Sequence, residues 1–352
     1  MGAPVRDFNI TARPGASRKG LKFKRTMPKR ALRWALLVPW LLLAGGTVIL
    51  LRLGQPAVAP TPVPSGPPGS AAEILRYRLD PDRFIVLEIS PGTPGQNTIR
   101  ATVLDRNLQP VAAGGLGLRL WRLDRDDPPA DLPAAPGSPA IEARLNLEPG
   151  WWALEAALSR GPAQTFYLLV GSAAPADAAP DQKAFNLLNR AIDAFGRLTA
   201  VRWEEQLTSG LPYPTRAGGW VLTEGEAQAP DRLHLRISAD GAAREVYQVG
   251  GRRCDREGNG PWQCADVPPA NPFDRSAFRA ATGVWSGRTE TIAGEPARVI
   301  FFYYPPAEAW YAWWVGEQTG YLLQEVMVAP GHIMATRYFD QNVPANIGLP
   351  IG

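Results

Sequence analysis

Histidine, cysteine and methionine are scarce in this chain: 352 residues hold two His, two Cys and four Met. So few imidazole and sulfur ligands argue against metal clusters and leave little for His-based acid–base chemistry. No Gly-x-Ser-x-Gly, His-Glu-x-x-His or phosphate-loop pattern occurs. No catalytic residue is therefore assigned, no cofactor is expected, and the protein reads as a non-enzyme. Breakers, by contrast, abound. Thirty-five Gly and 36 Pro make about a fifth of the chain, against a usual share nearer an eighth. That composition argues against a helical bundle and for short strands joined by turns.

Charge is unevenly spread. Residues 1–33 carry ten Lys and Arg against the single acid Asp7, whereas residues 53–352 hold 26 bases and 32 acids. A nucleic-acid footprint would place its bases on a folded domain; here they crowd an unpatterned stub, so no nucleic acid is expected as a partner. Beside the stub runs Trp34 to Leu51, 18 residues without a charge. As a helix it would span about 27 Å, close to the hydrocarbon thickness of a bilayer. Pro39 and Gly45–Gly46 are tolerated in a membrane, and the basic flank keeps the N-terminus cytoplasmic. The expectation is a single-pass plasma-membrane anchor over 34–52 with the remainder extracytoplasmic. A cleaved signal peptide is the competing reading, since Ala57-Val58-Ala59 has a small-x-small form, but Pro60 follows it. No Cys follows the run, which excludes a lipobox.

Residues 53–72 are rich in Pro, Ala, Gly and Ser and read as an extended linker. A second Ala/Pro stretch at 173–180 divides the exported part into 73–172 and 181–352. In the first part, Ile74–Leu79, Phe84–Ile89, Thr98–Leu104, Leu116–Leu123, Ile141–Leu147, Trp151–Leu158 and Thr165–Val170 read as seven strands, the count of an immunoglobulin-like sandwich. The order PGQNTIRATVLDRNLQPV, LGLRLWRL, ARLNLEPGWWALEAAL, FYLLVG over 84–170 resembles YtkA-like and copper-resistance-associated modules. Those use His or Met ligands, and 73–172 contains neither. Asp124, Asp126, Asp127 and Asp131 could suggest calcium, but Pro128-Pro129 interrupts them and a solvated loop is the simpler reading.

The second part opens on an amphipathic helix: Asp181 can cap it, and Phe185, Leu188, Ile192, Phe195 and Leu198 recur at helical spacing. About nine strands follow in a meander, among them Arg232–Ser238, where Leu233, Leu235 and Ile237 alternate with Arg232, His234 and Arg236. The segments APDRLHL (229–235), EVYQVG (245–250), GPWQC (260–264), IAGEPA (292–297), WWVGEQTGYLL (313–323) and YFDQN (338–342) fall in an order that resembles the LolA/LppX-like lipoprotein-carrier superfamily. That resemblance implies a half-barrel lidded by helices whose concave face holds acyl chains. The expected fold class is mainly β with α+β character: a transmembrane helix, an immunoglobulin-like sandwich, then a curved antiparallel sheet covered by a helix.

Three groups are singled out. Cys254 and Cys264 flank Asn259-Gly260, a hairpin signal, and an exported pair of this kind reads as a disulfide. Phe185, Leu188, Ile192, Leu233, Leu235, Ile237, Phe301, Tyr303, Trp310 and Trp314 are the ligand-cavity candidates, for a lipid, lipopeptide or other hydrophobic ligand; the protein partner is unassigned. Met327, His332 and Met334 share a face if Pro330-Gly331 turns the chain, and as soft ligands they give copper handling as the alternative. A sensor signalling through the basic stub is the third reading.

Overall fold

A computed structural model describes residues 73–350 apart from 81, 113–114, 133–139, 159–162, 172–180, 210–218, 240–241 and 330–331. The basic stub, the expected anchor and both linkers lie outside the described residues. Within them no helix is long and apolar enough to cross a membrane.

Eight strands build the first module: β1 (Glu73–Asp80), β2 (Arg83–Ser90), β3 (Gly95–Asp105), β4 (Leu116–Arg122), β5 (Ala130–Leu132), β6 (Ala140–Leu147), β7 (Gly150–Leu158) and β8 (Ala163–Val170). They form two four-stranded antiparallel sheets, β1-β2-β3-β6 and β5-β4-β7-β8. The seven strands expected from alternation are all present. β5 is the addition, and of its three residues only Leu132 is buried, too short a pattern to read. Strict alternation in β4 turns Leu116, Leu118 and Leu120 into the core. The unbroken apolar run of β2 has a different origin: Ile85, Leu87 and Ile89 enter the sandwich core, while Phe84, on the other face, packs on Trp220 and Leu222 of the second module.

The second module begins with α1 (Gln182–Gly196), whose Asp181 cap accepts a hydrogen bond from the Ala184 backbone N–H at 3.0 Å. Eleven strands follow. They are β9 (Ala200–Ser209), β10 (Gly219–Gln228), β11 (Arg232–Ala239), β12 (Ala242–Val249), β13 (Arg252–Glu257) and β14 (Gln263–Asp266), then β15 (Thr282–Ile292), β16 (Glu295–Tyr304), β17 (Ala309–Gly316), β18 (Leu322–Ala329) and β19 (His332–Phe339). The sheet order is β14-β13-β12-β11-β10-β9-β19-β18-β17-β16-β15, antiparallel throughout. It is not a simple meander, because the last strand returns to pair with the first, Phe339 opposite Arg202. Two runs of neighbours thus meet in the middle of one sheet. α1 lies over β15 to β18, giving the half-barrel with a helix on one face.

The two modules share a single hydrophobic core. Trp285, Phe301, Tyr303, Trp310, Ala312 and Trp314 belong to the same buried cluster as the sandwich residues Leu118, Trp151 and Phe166. Trp151 lies 5.3 Å from Phe301 and Tyr167 lies 5.3 Å from Trp314, ring centre to ring centre. Polar groups are matched across the contact: Gln324 Nε2 donates to the Tyr167 hydroxyl at 2.7 Å and Trp121 Nε1 to Glu290 at 2.7 Å. At Gly287 a Cβ would come within 2.4 Å of the Leu123 carbonyl, so only glycine lets the backbones approach this closely. β17 is consequently buried at every position, covered by the sandwich on one side and by α1 and its neighbours on the other.

Candidate functional site

With one face of the half-barrel taken by the sandwich, the helix-covered face is the candidate site. Register assembles it in two cross-strand rows. One runs Phe302, Tyr311, Met327, Met334, Leu207; the other runs Ile300, Trp313, Glu325, Thr336, Glu205. Neighbours in a row sit directly opposite one another, within side-chain contact distance.

The segment linking β14 to β15 closes this face. It forms only one 3-10 turn, Ser276–Ala280, yet it inserts three large side chains. The Phe278 ring sits 4.8 to 5.9 Å from the rings of Phe302, Tyr304, Tyr311 and Trp313, filling an aromatic box. Phe273 is buried beside Phe195 of α1. Arg275 lays its guanidinium 4.8 Å over the Phe195 ring, donates to the Tyr338 hydroxyl at 2.8 Å and stands 3.9 Å from the Glu325 carboxylate. Tyr338 in turn donates to Glu325. On the outside, Arg279 ties the segment to α1 by donating to Asn189 and pairing with Asp193. We refer to residues 267–281 as the strap.

Beneath the strap lies a polar floor in an otherwise apolar face. Glu205 and Glu325 are both buried. Burial, reinforced by the negative charge of Glu325 and offset by Arg275, pushes the Glu205 carboxyl up to about 7. Burial likewise raises the Tyr311 and Tyr338 phenols, so both act as neutral donors; Tyr311 donates to the Met327 sulfur at 3.1 Å. The arrangement suits holding an apolar group against aromatic rings, with one buried carboxylate balanced by Arg275.

The expected cavity residues do not converge. Leu188 and Ile192 are buried on the inner side of α1, and Phe185 is half-buried. Leu233, Leu235 and Ile237 align with the helix-covered face through their partners Ala227, Gly225 and Thr223, but β11 lies beyond the strands that α1 covers. Phe301, Tyr303, Trp310 and Trp314 are on the opposite face, packed in the core shared with the sandwich. Alternation along β17 puts Trp310 and Trp314 on one face and Tyr311 and Trp313 on the other, but nothing local says that the sandwich takes the first. Glu205, Arg275, Phe278 and Glu325 were not singled out. Two of them carried a signal, a carboxylate in the inward phase of an apolar strand, between Leu207 and Val201 in β9 and before Val326-Met327 in β18.

Cys254 and Cys264 are directly opposite in β13 and β14 and form the expected disulfide. Met327 pairs with Met334 and Ala329 with His332, the register anticipated from the Pro-Gly turn. Both methionines are buried. Among the described residues no group of three or more His, Cys, Asp and Glu is placed to hold a metal ion. Asp124 pairs with Arg122 and Asp131 with Arg119, so two of the four loop carboxylates have basic partners.

Among solved structures, the chain is similar to three proteins at low identity. The lipoprotein LppX of Mycobacterium tuberculosis is 12% identical, with 48% of this chain and 100% of that one covered and a TM-score of 0.37. LprF of Mycobacterium bovis is 13% identical over 50% of this chain and 100% of its own, TM-score 0.40. A LolA superfamily protein of Nitrosomonas europaea is 10% identical over 46% and 94%, TM-score 0.24. No family model matches the chain, and no curated protein matches it.

Proposed function

We propose that this protein is a membrane-anchored, extracytoplasmic, non-catalytic binding protein that holds the acyl chain of a lipid or lipopeptide on the helix-covered face of its half-barrel. One observation carries the reading: the aromatic box on that face is filled by Phe278 of the strap, not by a strand or by α1. A side chain on a segment without strand pairing can be displaced without breaking the sheet, and the space it leaves is apolar and ring-lined. Acyl binding there is driven by apolar area removed from water, at about 25 cal/mol per Å². The sandwich serves as a rigid cover and spacer. Its strand order, β2-β3-β6 against β5-β4-β7-β8, supports an immunoglobulin-like assignment, with β1 as an added edge strand. The anchor at 34–52 and the basic stub support an N-in, single-pass topology.

Native mass spectrometry of the full chain in detergent tests the reading. Copurified lipid is expected, and delipidated protein should rebind a fluorescent acyl probe. Phe278→Ala should tighten probe binding by vacating the box, and Trp313→Arg should abolish it. Absence of lipid together with no probe binding in wild type and Phe278→Ala refutes it. The alternative, Cu(I) handling, draws on the cross-strand pairing of Met327 with Met334. Stoichiometric Cu(I) binding lost in Met327→Ala/Met334→Ala, with acyl binding absent, would put it first.

A further inference from the structure

We propose that a second site, a basic groove between α1 and the β15–β17 end of the half-barrel, binds a phosphate group. The groove has a volume of about 690 Å³ and is lined by Lys183, Asn186, Leu187 and Arg190 of α1 with Arg298 of β16 and Glu317. It lies on the outer flank of the helix, away from the aromatic box, and does not depend on what that box holds.

Charge selects an anion. Three cations line the groove against one carboxylate, and that carboxylate, Glu317, is engaged by Arg298 at 3.2 Å and by the Thr289 hydroxyl at 3.2 Å. The side chains of Lys183 and Arg190 have no ion pair or hydrogen-bond partner among the described residues. Residues 53–352 carry more acids than bases, so this local excess of positive charge runs against the balance of the body. The neutral groups agree with the charges. Asn186 has its amide oxygen occupied by Gln182 Nε2 at 3.0 Å, which leaves its NH2 to donate.

The walls are held in place. Ser286 at the groove edge donates to Asp181 at 2.6 Å, fastening the start of α1 to β15. Arg298 also donates to the Gly287 carbonyl at 3.1 Å. Gly320, with φ +71°, lies under the Arg190 side chain: a Cβ there would meet Arg190 Cγ and Nε at 3.3 Å. The turn therefore supports the arginine stem and leaves its fork free. Lys183 and Arg190 stand seven residues apart on one helix face, about 10 Å along the axis, so their long side chains can approach one anion from two sides while Arg298 closes a third. A tetrahedral oxyanion matches donors arriving from several directions better than a planar carboxylate, and the guanidinium fork suits phosphate oxygens. Leu187 and Ala184 supply an apolar border beside the cations, which fits a phosphate ester carrying an apolar tail.

The test uses the full chain in zwitterionic detergent, titrated with dihexanoylphosphatidic acid, with dihexanoylglycerol as the phosphate-free control. Phosphatidic acid should bind more tightly than the control, and the difference should shrink as salt is raised. Lys183→Gln and Arg190→Gln should each weaken phosphatidic acid binding about tenfold, the scale of one charge-assisted contact, while Arg190→Lys keeps most of it. Both positions are exposed on the helix surface, so the fold is not at stake, and the unchanged affinity for dihexanoylglycerol checks this. Inorganic phosphate competing at equal concentration assigns the site to the free anion; failure to compete assigns it to the ester. Equal affinity for phosphatidic acid and dihexanoylglycerol in the wild type, or an unchanged phosphatidic acid affinity in the Lys183→Gln/Arg190→Gln double variant, overturns the site.

Discussion

Replacing Glu205 with Gln should make the protein more stable at pH 8 and leave it unchanged near pH 4. Glu205 is 8% exposed, and burial beside Glu325 raises its carboxyl to about 7 from an ordinary value of 4.5. An acid whose folded value is raised binds its proton more tightly when folded. The contribution of this group to stability is therefore fullest below about 4.5, falls as pH rises toward 7, and is flat above that. A rise of this size corresponds to roughly 3 kcal/mol, all of it lost from the wild type by pH 8. Gln keeps the size and hydrogen-bonding shape of the neutral acid but cannot ionise, so it escapes the loss. The companion change Glu325→Gln should act the opposite way. It removes the negative charge beside buried Arg275 while its amide oxygen can still accept from Tyr338, and leaving a buried cation unpaired costs about 3 kcal/mol or more. Urea denaturation of the full chain at pH 4, 6 and 8, followed by tryptophan fluorescence, measures both. An advantage of Glu205→Gln that is the same at pH 4 and pH 8, or a loss of stability at pH 8, refutes the reasoning.

Two further outcomes follow from local geometry. Mass mapping under non-reducing conditions should find Cys254 joined to Cys264, and the double Cys→Ser variant should lose roughly 2–3 kcal/mol, the chain-entropy value for so short a loop; two freely alkylated thiols in oxidised native protein would count against this. Gly150→Ala should destabilise by about 3 kcal/mol, because Gly150 has φ +133° and a Cβ there would lie 2.2 Å from Arg122 Nη2, within the buried Arg122–Asp124 pair. A melting temperature within two degrees or so of wild type would show that the Arg122 side chain can move aside at little cost.

What the sequence displayed was whatever is periodic or adjacent. Helix α1 follows from the spacing of Leu188, Ile192 and Phe195 with Asp181 before them, and β4 from alternating leucines. The Cys254–Cys264 and Met327–Met334 registers follow from turn residues a few positions away. Sheet order was hidden, because the pairing of β19 with β9 joins Phe339 to Arg202 across most of the module and no local pattern encodes so distant a partner. The strap was hidden for another reason. Phe273, Arg275 and Phe278 sit among Pro, Asn and Asp with no repeat, and their burial comes from the surface they meet, not from the strap's own conformation. The Pro-Gly-Trp-Trp sequence at 149–152 did mark a strand start. The need for glycine there became visible only with Arg122 occupying the place of a Cβ.

The density of aromatic residues in β16 and β17 follows from their double cover. Trp310 and Trp314 meet the sandwich while Tyr311 and Trp313 meet Phe278, so a single strand contributes large rings to both of its faces. A half-barrel deprived of the sandwich would expose Trp285, Phe301, Trp310 and Trp314 together, an apolar patch of the kind that drives association. The boundary between 73–172 and 181–352 thus separates two modules along the chain but not two cores. Binding measurements accordingly belong on the full chain, since aggregation of an isolated half-barrel would imitate a capacity for apolar ligands. The shared core also restricts where the acyl ligand proposed above would enter. The face with Trp310 and Trp314 is sealed by matched polar contacts such as Gln324 to Tyr167 as well as by packing, whereas the opposite face is closed by a strap held through two phenylalanines and two arginines. Of the two covers, the strap is the one that contributes no strand to a sheet, so its displacement would leave every strand pairing intact.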